Sequence, residues 1–145
     1  MTLERVVDKA VEAGVHFAVA AGNDAEDACE YSPAAAKGPI TVGASTSDDG
    51  MAFFSNHGKC VDIFAPGLDI KSTWIGSDDA VNTISGTSMA SPHVAGVLAL
   101  YLGEGEWTPA QLKAELIARS QKDLLKKLPA DGTPNSLLSI LSLLK

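Results

Sequence analysis

Leu3, Val6, Val7, Ala10 and Val11 recur at helical spacing with charged residues between them, and Gly14 supplies a stop. The pattern predicts a helix over 2–13. In "VHFAVAA", residues 15–21, the apolar run is continuous and short, so it reads as a fully buried strand running straight into Gly22 and Asn23. A helix, a tight glycine turn and a buried apolar strand point to an α/β fold: a mostly parallel sheet with crossover helices. A polar loop, "GNDAEDACEYSPAAAKG", separates this strand from "PITVGAS", and "VDIFAPG" forms a third strand closed by Pro66-Gly67. "IKSTWIG" and "AVNTIS" pair as a hairpin or edge segments around Gly76-Ser77-Asp78-Asp79. Residues 88–102 are strongly helical. Thr108 as N-cap and Pro109 in the first turn start another helix, running to about Arg119. The tail "PNSLLSILSLLK" is a short apolar helix or strand that must dock on the rest.

Composition narrows the function classes. At 145 residues and 46% apolar, the chain has the size and content of one domain with its own core. There are no internal repeats, no low-complexity tracts and no dividing linker. A net charge of -7 argues against nucleic acid, because a phosphate-binding face needs clustered Lys and Arg. The one basic run, "KDLLKK", is short enough to be a solvated helix face. No stretch approaches the roughly 20 apolar residues that cross a bilayer, which argues against a membrane partner. The opening "MTLERVVDKAVEAG" carries charges throughout and no cleavage site, so any secretory targeting would lie elsewhere. Cys29 and Cys60 allow one bridge or two buried thiols, and neither sits in the paired spacing of a structural zinc site.

Candidate chemistry concentrates in "NTISGTSMASPHVAG", residues 82–96. Gly86-Thr87-Ser88 sets Ser88 where a β-segment turns into a helix. Unpaired N–H groups and the positive end of the helix dipole meet there. A hydroxyl at that place can attack a carbonyl, and its own N–H can hold the oxyanion; an ordinary N-cap serine is the simpler alternative. A phosphate loop would need Gly-Lys-Ser/Thr, and the α/β-hydrolase elbow would need glycine at Ala90. His93 is no partner for Ser88. Five helical residues rotate by about 500°, roughly 140° net, and rise about 7.5 Å, so it faces away and reads as a buried structural histidine.

"SGTSMASPHVAG" resembles the nucleophile segment of subtilisin-like serine proteases. "HFAVAAGNDAEDACEYSPAAAKGPITVGAS", "FFSNHGKCVDIFAPG" and "STWIG" resemble, in family order, the proteinase K branch, over residues 3–140 or so. The resemblance implies the C-terminal portion of a subtilisin-like fold, residues 1–145 being a partial catalytic domain without the segment that carries the acid and the base. It implies a serine endopeptidase acting on peptides or proteins, with Ser88 as nucleophile and Asn23 as side-chain oxyanion donor. Ala20, Ala21 and Gly22 would form one wall of the pocket for the residue before the scissile bond. The family's Asp-Thr/Ser-Gly and His-Gly-Thr-His strings do not occur. His57 stands in the "SNxG" turn and His16 leads the strand before Asn23, so neither matches the base. By this reading the chain alone is inactive and only marginally stable, and its partner is the missing N-terminal half. The alternative is a catalytically dead binding, structural or antigenic module.

Three further expectations rest on the same resemblance. Cys29 and Cys60 would be bridged to each other. A bridge would place the protein in a secreted or vacuolar, oxidising compartment. Calcium would be a structural cofactor, held by the Asp62 carboxylate and the backbone carbonyls of Lys37 and Pro39; the Lys37 ammonium would lie close to it.

Overall fold

In the computed structural model, which describes residues 2–144, the first helix α1 spans Leu3–Glu12. Thr2 caps it by accepting from Arg5 N–H, and Gly14, at φ 97°, turns the chain out of it. Its apolar stripe is only partly covered: Val7 is buried, whereas Leu3 and Val6 remain about half exposed.

The strands are β1 (Ala18–Ala20), β2 (Ile40–Ser45), β3 (Ile63–Pro66), β4 (Ile70–Thr73), β5 (Val81–Ile84), β6 (Gln121–Lys122) and β7 (Ser136–Leu137). Five of them form one sheet in the order β1-β2-β3-β7-β6, parallel except for the edge strand β6. Contrary to the expected helices, loops make the crossings from β1 to β2 and from β2 to β3. β1 is also shorter and less buried than its apolar sequence suggests. It is an edge strand, and of its residues only Val19 is buried. The apolar tail docks as β7 beside β3, with Leu138 N–H donating to Phe64 O at 2.8 Å, and then closes in a 3-10 turn over Leu141–Leu143. β4 and β5 form the expected antiparallel hairpin apart from the sheet.

Helices α2 (Thr87–Leu102) and α3 (Pro109–Arg119) complete the fold. A reciprocal pair of bonds between Thr108 and Gln111 caps α3, with Pro109 in its first turn, where the missing N–H costs nothing. One face of the sheet, with Ile40, Val42, Ala44, Ile63 and Ala65, packs on Ala90, Val94, Val97, Leu98 and Tyr101 of α2 and Leu112 and Leu116 of α3. Phe64 of β3 points to the other face, which the loops cover through Ala21, Ala28, Ala34, Val61 and Leu125. Both faces of the central strands are therefore dry, which is why β2 is buried at every position.

Candidate active site

Asn23 follows β1 on a loop that is bound to a second segment along its length. Ala25 N–H donates to Phe54 O (3.0 Å), Asn56 N–H to Gly22 O (2.9 Å), His57 N–H to Glu26 O (3.0 Å) and Ala28 N–H to His57 O (2.8 Å). The Asn56 side chain, wholly buried, completes the attachment. Its Oδ1 accepts from Asp24 N–H (2.9 Å) and Glu26 N–H (3.1 Å), and its Nδ2 donates to Ala21 O (3.0 Å). Gly22 has to be glycine for two reasons: its φ is 109°, and a Cβ there would meet Asn56 Nδ2 at 2.2 Å. The Cys29–Cys60 disulfide, Cα–Cα 5.3 Å, ties the far end of the loop to the same segment. The bridge is as expected and suits an oxidising compartment.

Thr87, the buried first residue of α2, aims the Asn23 amide. Its N–H and its hydroxyl both lie 2.8 Å from Asn23 Oδ1, and the hydroxyl accepts in turn from Gly22 N–H at 3.2 Å. A backbone N–H can donate only to an oxygen, so the amide must face Thr87 with Oδ1 and present Nδ2 on the other side. Of the donors at the start of α2, Thr87 N–H is taken by Asn23 and Met89 N–H by Gly86 O (3.0 Å). Ser88 N–H remains without a partner among the described residues. Gly86, at φ 155°, lacks the Cβ that would stand 3.6 Å from both Asn23 Nδ2 and Ser88 N. The absent side chain thus leaves open a point flanked by two donors. The Ser88 side chain itself is exposed.

The histidines divide differently from the sequence reading in one case. His93 is exposed, not buried: its Nδ1–H donates to Met89 O within its own helix at 2.8 Å. It lines a groove of about 390 Å³ between the β4–β5 hairpin and the start of α2, with Ile70, Trp74, Ile84, Met89 and Pro92. His57 faces an acceptor at each ring nitrogen, Asp131 Oδ2 at Nδ1 (2.5 Å) and Ala25 O at Nε2 (3.2 Å). The ring is thereby committed to holding two loops together. The Thr133 hydroxyl, and after it His57, holds the Asp131 carboxyl below the ordinary carboxylate range against the opposing effect of desolvation. His16 is half-buried at the entry to β1.

The expected pocket wall is uneven. Ala20 and Gly22 keep some surface, whereas the Ala21 side chain is fully buried in the loop-side core and can contribute only backbone. At the expected calcium site the three oxygens do converge, but on a lysine of α3. Lys113 Nζ lies 2.8 Å from Asp62 Oδ2, 2.8 Å from Pro39 O and 3.4 Å from Lys37 O. The Lys37 side chain is exposed. With an ammonium bonded to all three oxygens, the residues present do not fit a divalent cation. Thr87, Asn56 and Lys113 were all missed in the sequence. Only Thr87 carried a signal, its place between Gly86 and Ser88.

Edge strand β1 thus leads the chain to Asn23, whose amide lies against the start of α2 beside the exposed Ser88. Sequence comparison is more specific: residues 2–137 match the subtilase family of peptidases, and the chain belongs to that family. It is 60% identical over 147 residues to subtilisin-like protease 8 of Trichophyton verrucosum, covering 94% of this chain and 30% of that protein. Identity to alkaline protease 2 of Aspergillus fumigatus is also 60%, over 146 residues, 94% of this chain and 29% of that protein. A crystal structure of a cold adapted subtilisin-like serine proteinase superposes with a TM-score of 0.90 at 49% identity, covering 95% of this chain and 50% of that one. The chain thus spans less than a third of the curated relatives it matches.

Proposed function

We propose that this chain carries the nucleophile and the oxyanion donors of a serine endopeptidase. Ser88 Oγ attacks the carbonyl carbon of a peptide bond, a histidine from outside these 145 residues takes its proton, and an acyl-enzyme forms as the amine leaves. Asn23 Nδ2 and Ser88 N–H hold the tetrahedral oxyanion. The observation that carries the reading is the pair of donors flanking the open point at Gly86, with Thr87 fixing which end of the Asn23 amide faces it. Substrates are peptides or proteins, and the oxidised Cys29–Cys60 pair favours a secreted or vacuolar setting.

The partner of this chain is the segment that supplies the base and its orienting acid. His57 is committed at both nitrogens, and His93 belongs to a helix that turns it away from Ser88. The surface of α2 supports the same reading. The helix is apolar all round, yet Leu100 is 56% and Leu102 40% exposed. Helices of that kind are covered on every side.

The test is to mix the purified chain with a chromogenic peptide and a fluorophosphonate probe, alone and with the complementary half of the protease. The expected result is no turnover alone and turnover in the complemented enzyme that Ser88→Ala abolishes. Asn23→Leu should lower kcat by about 10²–10³ with little change in KM, a magnitude known from subtilisin itself. Turnover by the isolated chain that Ser88→Ala removes would overturn the external base. A complemented enzyme that folds but neither turns over nor labels at Ser88 would establish a catalytically dead module.

A further inference from the structure

We infer that Lys113 is a built-in cation that replaces a bound calcium ion, so that the junction between α3 and the sheet is stable without metal. The oxygens concerned are the Asp62 carboxylate, just before β3, and the carbonyls of Lys37 and Pro39, just before β2. They belong to segments distant in the chain; the pairing of β2 with β3 and the Asp62 N–H bond to Thr41 O (2.9 Å) bring the segments side by side, and the shared cation holds the three converging oxygens. An ammonium has three N–H donors, and Lys113 Nζ has three acceptors: Asp62 Oδ2 and Pro39 O at 2.8 Å and Lys37 O at 3.4 Å. Asp62 Oδ2 also accepts from Thr41 N–H at 2.8 Å, which fixes the carboxylate against the start of β2.

Size and charge make the two cations exclusive. Calcium takes about six to eight oxygens at roughly 2.3–2.6 Å. An ammonium held 2.8 Å from two of the same oxygens stands where the ion would stand and repels it. The lysine is also well placed to stay. It sits on α3 between Leu112 and Leu116, both buried in the helix-side core, and its side chain is only 22% exposed. Its local concentration is set by the helix and not by the solution, so no chelator removes it.

The inference is independent of the catalytic reading and is tested without an activity assay. Thermal unfolding of the intact protein that carries this chain is recorded in EDTA and in millimolar calcium, for the natural sequence, Lys113→Met and Asp62→Asn. The expected result is that Asp62→Asn changes the response of the natural protein to calcium not at all. Lys113→Met should lose several degrees of Tm in EDTA and recover them in calcium, with titration calorimetry showing a calcium ion bound that the natural protein does not bind. Calcium stabilisation of the natural protein that Asp62→Asn removes would overturn the inference. That comparison needs no lysine variant, so it decides the matter even if Lys113→Met fails to fold.

Discussion

The loop that carries Asn23 and the helix start that carries Ser88 lie side by side and are held in opposite ways. Residues 22–28 are bonded to residues 54–57 at four backbone positions, anchored from within by Asn56 and closed off by a disulfide. The Ser88 side chain is exposed and makes no hydrogen bond among the described residues. The difference fits the roles proposed for the two residues. An oxyanion donor contributes most when it is aimed before charge develops, so that no reorganisation is needed at the moment of reaction. A nucleophilic hydroxyl needs a base, and its geometry is completed only when that base arrives.

The heaviest blow to the rigid side is removal of the disulfide. Replacing Cys29 and Cys60 together with serine should cost about 3–4 kcal/mol on the chain-entropy account, for a loop closed over a separation of 31 residues. Denaturant unfolding of the oxidised and substituted proteins measures it, and a loss below about 1 kcal/mol would show the loop to be held by its hydrogen bonds alone. Asn56→Ala comes next. It strands Ala21 O in a buried setting and the N–H groups of Asp24 and Glu26 in a part-buried one. The cost should be about 2–3 kcal/mol, with a fall in kcat and little change in KM in the complemented enzyme. Loss of stability with unchanged kcat would show that Asn56 supports the fold without positioning Asn23.

The smallest effect is expected at Asp131. Its folded pKa lies below the ordinary value, chiefly through the Thr133 hydroxyl and then His57. A depressed carboxyl contributes stability above its unfolded pKa, near 4, and loses it as pH falls through the folded value. The natural protein should therefore lose more stability than Asp131→Asn between neutral pH and acid below about pH 4. Parallel acid unfolding curves for the two proteins would rule this out.

What could be read in the sequence was what local motifs and periodicity carry. Ser88 at a helix start, Asn23 after a glycine turn, the capped start of α3 and the hairpin all depend on neighbours a few residues away. Thr87, Asn56 and Lys113 act on partners 64, 35 and 74 residues distant, respectively. No local pattern marks a lysine in "AQLKAELIAR" as the one that turns inward. The exposure of His93 has a related cause. Its helix is apolar enough to be buried all round, but the sheet covers only one side of it. The place of β1 is hidden in the same way: an apolar run reads as central, whereas edge position is a property of the whole sheet.

The double attachment of the Asn23 loop also bears on its lifetime among enzymes that cut polypeptides. A segment is cleaved only after it is drawn away from its surroundings into an extended shape, and the probability of that opening is set by what must be undone. For residues 22–28 the opening would strip the bonds to Phe54, Asn56 and His57 while Cys29 stayed tethered to Cys60. The hairpin tip around Ile75, which is 85% exposed, has no comparable restraint. Nicking should therefore begin near that tip and spare the loop.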